Sequence, residues 1–421
     1  MKRLLCILFA MLMLCACTAK KEPASTELTV DEDPGFIVIP GSEIEIPDIT
    51  GYRDFVNVLS AKIIDGTQNR NLSPISVYLA LALAAEGAEG ETQADMLKLL
   101  GCASLEELRG VCGLMLETLS VDKERSTLQI ADSIWMADRG DALTFNGEYL
   151  RVLGESYRSE ANAVDFSKKE AGEQIADWIR VHTHDKITLS PEDFSFDVNT
   201  VAVLINTIYL KDAWRDEFYE SATQSGTFHG LSGELTVDYM YRRDNDVMIM
   251  KGDGFLRYSL PLQNVGRMTF VLPDEGKTLS DFLGSPEKLR ALLNDGIPIQ
   301  ANVDVKLPKF QFEDRIELNE ILKSLGLERA FNPNDADFSG MCADKDDIYL
   351  SKVLQGSYIG VDENGVEAAA YTMDVMADGF AMPPELPEID FHVTRPFLYV
   401  IESDDGTVLF VGTVTNPTVP A

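Results

Sequence analysis

Positive charge is scarce in this sequence. Its 421 residues carry 36 Lys and Arg against 69 Asp and Glu, a formal charge of -33, which repels nucleic acid and heparin-like polyanions at long range. No nucleic-acid partner is expected. Histidine occurs four times, and no CxxC pair offers metal-ligand spacing. His182 and His184, beside Asp185, point to different faces of a helix at that spacing, so a solvated helix end is expected and no metal or cofactor. A nucleophile-elbow motif is also missing, which argues against a hydrolase built on those scattered histidines. Disorder is excluded in turn, because 45% hydrophobic and 25% charged residues suit a large globular core.

The apolar run Leu4 to Leu14 follows Lys2-Arg3 and is too short to span a bilayer, which marks residues 1–16 as a signal peptide. It ends in Leu14-Cys15-Ala16-Cys17, which resembles a bacterial lipobox with Cys17 as the lipidated first residue of the mature chain. Thr18 rather than Asp after that cysteine leans toward the outer membrane, on its periplasmic or surface face. Residues 17–50, rich in Pro, Glu, Asp, Ser and Thr, read as a tether, and residues 51–421 as one undivided domain. Of six cysteines only Cys102, Cys112 and Cys342 stay in the folded part, leaving a Cys102 to Cys112 bridge or buried free thiols.

Within the domain, Ser73-Pro74 opens a helix whose residues Val77 to Ala85 are apolar on every side, so it is expected to be central. Glu91 to Leu100 reads as an amphipathic helix stopped by Gly101, and Ser104 to Glu107 as a capping box. Val201 to Leu210 is a long buried strand with one strongly polar member, Asn206. Leu318, Ile321, Leu322 and Leu325 mark a helix ending at Gly326, with helical character reaching toward Asp337. Strands follow at Tyr349 to Val361, Phe397 to Ile401 and Val408 to Val414, the last two joined through Asp405-Gly406.

Between Val361 and Phe397 lies a connection too long for a compact domain, and such loops are functional or disordered. Its first half, Gly365 to Thr372, is small and strand-compatible; its second half carries Pro383, Pro384 and Pro387, which cannot enter a sheet. The stretch Gly360-Val361-Asp362-Glu363-Asn364-Gly365-Val366-Glu367-Ala368-Ala369-Ala370-Tyr371-Thr372 resembles the reactive-loop hinge of serpins. Further blocks agree in order: Asn69 through Ser73-Pro74-Ile75-Ser76 and Gly87 to Thr92; Asn206 to Lys211 with Trp214 and Phe218; Leu307-Pro308-Lys309-Phe310 through Phe338-Ser339-Gly340; and Arg395-Pro396-Phe397 to Asn416-Pro417.

The resemblance implies an α+β serpin fold, helices packed around large, mostly antiparallel sheets with a long exposed reactive loop. It also implies a monomeric trap without catalytic groups of its own. A target serine or cysteine protease would attack the loop, and the acyl-enzyme would be carried off as the freed loop inserts as a new strand. The hinge residues are then Glu363, Gly365, Val366, Glu367, Ala368, Ala369, Ala370 and Thr372. Ser73, Ser76, Asn206, Gln355, Trp214 and Lys309 would control sheet opening, with Gln355 where the family usually has His and Asp212 where it has Gly. That second exchange predicts a different turn after Lys211. The alternative reading is a non-inhibitory serpin-fold binding or structural lipoprotein whose loop never inserts.

Alternation places Val366, Ala368, Ala370 and Thr372 inward on an inserted strand, and Glu367, Ala369, Tyr371 and Met373 toward solvent. Asp374 and Asp378 would also face inward, at a cost. Counting from Glu363 by the family's spacing puts the scissile residue at Gly379; counting back from Arg395 reaches Glu385. Within the window Ala377 to Met382 the candidates are Gly379, Phe380 and Ala381, with Met382 at its edge. No Lys or Arg occurs from Val353 through Thr394, so elastase-, chymotrypsin- or papain-like targets are expected, and trypsin-like ones are not. The lipobox generates the first test: the native chain is expected to fractionate with membranes and carry lipid by mass spectrometry, and Cys17→Ser to release it. A substituted chain that stays with membranes, beside a native chain free of lipid, refutes the anchor.

Overall fold

Residue 73 shows how the chain organises itself. In the computed structural model Ser73 caps a helix, its Oγ accepting from Ser76 N at 3.4 Å, and Pro74 occupies the first turn where no donor is needed. The structure describes residues 49–138, 144–187, 196, 200–342, 348–367 and 386–418. The described helices are α1 (Thr50–Ile63), α2 (Pro74–Gly87), α3 (Gly90–Leu100), α4 (Leu105–Thr118), α5 (Gly147–Tyr157), α6 (Lys169–His182), α7 (Leu279–Phe282), α8 (Pro286–Asn294) and α9 (Asn319–Leu322). The first eight strands are β1 (Arg70–Leu72), β2 (Val121–Lys123), β3 (Ser126–Ala137), β4 (Glu160–Val164), β5 (Ala202–Ala213), β6 (Gln224–Gly230), β7 (Gly233–Gly252) and β8 (Phe255–Pro261). The rest are β9 (Gly266–Pro273), β10 (Ile297–Pro308), β11 (Phe310–Glu317), β12 (Leu350–Val361), β13 (Gly365–Val366), β14 (Glu388–His392), β15 (Phe397–Ser403) and β16 (Val408–Val414).

Two sheets result. One runs β1-β16-β15-β9-β8-β7-β10-β14 with β6 on β7; the other runs β11-β12-β13-β5-β3-β2 with β4 on β3. Pairings are mostly antiparallel, and β12–β5, β10–β14 and β3–β4 are parallel. The apolar-all-round helix α2 is buried throughout except Glu86, and it packs against α1, α3, α4, α5, β3, β5 and β16. It forms the centre of the main core. The other face of the second sheet is also covered, because α6 lays Ala171, Ile175 and Ile179 on Trp135, Val164, Val203 and Ile205. No described helix is long and apolar enough to cross a membrane.

Several local expectations change. Ser104 accepts from Glu107 N at 3.2 Å, but the reciprocal arm of the capping box goes one residue further back, to Ala103 N at 2.7 Å. The helix before Gly326 is a single turn, α9, followed by a π-type turn at Lys323–Leu327, because Gly326 sits at φ 108°. Helical geometry ends with a 3-10 turn at Arg329–Phe331, short of Asp337. Strand β5 runs on through Asp212 to Ala213, so the turn expected after Lys211 is absent. Its cause is the Asp212 carboxylate, which is fully buried and accepts from Ser126 Oγ, Asn264 N (3.0 Å) and Val265 N (2.8 Å). Cys102, Cys112 and Cys342 are free thiols. His182 ends α6 and stacks on Trp178, whereas His184 meets Gln129 Oε1 at 2.9 Å, so the two rings have separate partners.

Candidate functional site

The site lies where the parallel strands β12 and β5 meet. They pair directly from Leu350↔Ala202 to Ser357↔Ile208, with Gln355 beside Asn206. Gln355 uses both ends of its amide: Oε1 accepts from Ser73 N at 3.0 Å, and Nε2 donates to Ser73 O at 2.7 Å and Asn206 Oδ1 at 3.1 Å. Asn206 Nδ2 then donates to Leu354 O at 3.2 Å, and the Ser73 and Ser76 hydroxyls lie 3.2 Å apart. All four side chains are buried, so these bonds stand in for water that cannot enter. The cluster is a neutral clasp tying two strands to the start of the central helix. Ser357 extends it by donating to Asn71 O at 2.5 Å.

Further along, the two strands part around β13. Gly365 pairs with Ala213 and Val366 with Asp212 on one side, and Val366 pairs with Val361 on the other, antiparallel to both neighbours. Val366 is 1% exposed and belongs to the main core, as alternation requires. Around this wedge Trp214 N donates to Asn364 O, Phe218 N to Glu363 O and Trp214 Nε1 to Asp362 O, each at 2.9 Å. Lys309 Nζ reaches Glu363 Oε2 at 2.7 Å, while Thr223 Oγ1 donates to Glu363 Oε1 at 2.5 Å. Burial pushes the Glu363 carboxyl up, but the Lys309 and Thr223 bonds outweigh it and hold it below the usual glutamate range.

Glu367 departs from expectation. Its place was on the solvent face, yet its side chain is only 12% exposed and reaches Lys186 Nζ at 2.7 Å and the Tyr209 hydroxyl at 3.3 Å. It lines an open groove of about 620 Å³ together with Lys186, Tyr209, Lys211, Tyr358 and Lys309. Among the described residues, the buried Glu367 Oε2 has no hydrogen-bond partner. Burial therefore raises its carboxyl above the usual range, against the pull of Lys186. Its φ of 51° also ends the strand after Val366. Ala368, Ala369, Ala370 and Thr372, the scissile candidates Gly379, Phe380 and Ala381, and Cys17 lie outside the described residues.

The family model for serpins (serine protease inhibitors) matches residues 52–417. The chain belongs to the serpin family. An uncharacterized serpin-like protein of Thermococcus kodakarensis is 31% identical over 391 residues, 89% of this chain and 86% of that one. The crystal structure of the thermophilic serpin tengpin in its native state has a TM-score of 0.77 at 27% identity, covering 90% of this chain and 96% of tengpin. Arabidopsis AtSerpin1 in its native stressed conformation gives 0.74 at 26%, covering 90% and 100%. Serpins are in general protease inhibitors and not catalytic enzymes. Asp212 and Glu367 are the two residues at the mouth of this serpin's sheet whose contacts sequence reasoning missed. Asp212 carries a polar group within the apolar-patterned β5 and Glu367 one just past β13, the one signal available.

Two tests follow from this geometry. Lys309→Ala strands a carboxylate that is 5% exposed, and the expected loss is roughly 1–3 kcal/mol, kept low by Lys309's own exposure. Loop-sheet polymers on mild heating are expected in it and in Glu363→Ala; monomer in both on native gels refutes the closing role. Because the Glu363 carboxyl is depressed, its contribution is full above the usual glutamate range and is lost as pH falls through the folded value. Wild type and Glu363→Gln should therefore differ in urea midpoint at neutral pH and converge once pH falls below the depressed folded value of Glu363. The second test is Gly365→Ala: Gly365 has φ 154°, and an added Cβ would lie 2.2 Å from Asp212 O and 2.6 Å from Ala213 Cα. Expulsion of the hinge is expected, read as faster cleavage after Glu367 by a glutamyl-specific protease; an unchanged rate refutes the seating of β13.

Proposed function

We propose that this serpin is a suicide-substrate inhibitor of serine, or cysteine, endopeptidases, held to the cell envelope through Cys17. The observation that carries the reading is β13: the hinge has begun a strand between β12 and β5, antiparallel to both, with Val366 in the core. The residues that would extend it, Ala368 and Ala370, are small enough for a crowded core position. Cleavage within Ala377 to Met382 would free the loop to insert and carry off the acylated protease, whose deacylation needs an intact triad and oxyanion hole. A bait segment without Lys or Arg suits elastase-, chymotrypsin- or papain-like enzymes, and Pro383 and Pro384 bar cleavage just beyond.

The test is Ala368→Arg. Two residues on from inward-facing Val366, the long cation would have to enter the core-facing side of the sheet, at a cost of several kcal/mol. Wild type is expected to form a complex with an elastase- or chymotrypsin-like protease that survives denaturant. Ala368→Arg is expected to be cut between Ala377 and Met382 and released. Equal trapping by the variant refutes insertion of the hinge; no complex with either chain favours the non-inhibitory reading.

A further inference from the structure

Strand β14 follows the bait segment and has one strand partner among the described residues, β10, paired in parallel from Asn302↔Glu388 to Lys306↔His392. In that register Asp304 stands directly beside Asp390. Like charges so placed repel, and here the repulsion weakens the pairing of an edge strand. The neighbouring cations do not relieve it. Arg243, beside Asp304 on β7, turns to Glu388 at 2.5 Å and to Asn245 at 3.2 Å. Lys306 lies over the Tyr239 ring at 4.2 Å and the Tyr241 ring at 5.6 Å. No hydrogen bond or ion pair reaches the Asp390 side chain among the described residues.

His392, two residues on and therefore on the same face of β14, brings Nε2 to 3.4 Å from Asp304 Oδ2. One ligand atom from each of Asp304, Asp390 and His392 lies within 4.8 Å of the others. An ion bound at about 2.0–2.2 Å draws its ligands to separations of about 3–4 Å, so side-chain rotation alone would close the set. We propose that these three residues form a divalent transition-metal site that fastens β14 to β10. One imidazole with two carboxylates suits Zn²⁺ or Co²⁺, whereas Ca²⁺ and Mg²⁺ take oxygen ligands. Asp390 and His392 are exposed or half-exposed, which leaves room for water to complete the coordination. The ion turns the repulsion between Asp304 and Asp390 into a bridge, at the strand where the bait segment ends.

The experiment is a calorimetric titration of the chelator-treated full chain with Zn²⁺ alone, with Ca²⁺ and Mg²⁺ run separately. One saturable Zn²⁺ per chain is expected, bound at least tenfold more weakly by Asp390→Asn and by His392→Ala. Both substitutions lie on the outer side of an edge strand, and unchanged circular dichroism checks that they fold. Hydrogen exchange at 388–392 is expected to slow with Zn²⁺ in wild type and not in the variants. Absence of saturable Zn²⁺ binding overturns the site. Undiminished binding in both variants places the ion elsewhere and overturns it equally, and Ca²⁺ binding as tight as Zn²⁺ overturns the metal class.

Discussion

Everything at this site depends on one pairing: β12 and β5 lie parallel and adjacent in a sheet whose other ladders are mostly antiparallel. Parallel pairing is slightly the weaker per residue. A strand entering between them in the direction of β13 is antiparallel to both, so insertion trades one weaker ladder for two stronger ones. Under the proposed mechanism the gain would grow with every residue that enters beyond the two of β13. Side-chain chemistry holds the seam closed along its length.

That chemistry changes character along the strands. Deep in the sheet the clasp of Gln355, Asn206, Ser73 and Ser76 is neutral, so its members lie in a dry core with only hydrogen bonds to satisfy. At the mouth the links are ionic, Lys309 to Glu363 and Lys186 to Glu367, on side chains that reach water. The two glutamates are perturbed in opposite senses. Glu363, with a partner for each oxygen, is stabilised as an anion; Glu367, with one oxygen unpaired, resists ionisation. The surroundings of Glu363 thus favour its ionised form, and those of Glu367 disfavour it. The hinge is gripped at one residue and strained two turns of the pleat later.

How far the sequence was legible follows from what kind of signal each residue carried. Helix α2 announced itself through Ser73-Pro74 and an apolar run with no polar face, and β12, β15 and β16 through alternation and the Asp-Gly turn, because these depend on neighbours in the chain. The grouping of Ser73, Ser76, Asn206 and Gln355 came from family resemblance, since their positions share no local pattern. Alternation assigned Glu367 a face of an inserted strand, but could not show that, past the end of β13, its carboxylate meets Lys186. Asp304 and His392 lie 88 residues apart in sequence, and only the β10–β14 register brings them together.

Asp212 anchors the β5 side of the seam. Its buried carboxylate holds the end of β5 to the turn at Asn264 and Val265 and to Ser126, and Gln263 N donates to Ala213 O and Arg215 N to Pro261 O just beyond, each at 2.9 Å. That end of β5 is thus fixed to the strands of the other sheet by backbone and side chain alike. The facing end of β12 has β11 along its full length, from Phe310↔Val361 to Glu317↔Leu354, and the hinge itself. Widening the seam against β5 would break buried bonds to a charged group, the costlier kind to lose. Movement of β12 with β11 would leave their shared ladder intact but break the clasp at Gln355, the Ser357 bond to Asn71, and the bonds of the buried Asp314 carboxylate to Asn71 N (2.9 Å) and Arg70 (3.0 Å). A buried carboxylate thus anchors each wall of the seam, Asp212 on the β5 side and Asp314 on the β11–β12 side.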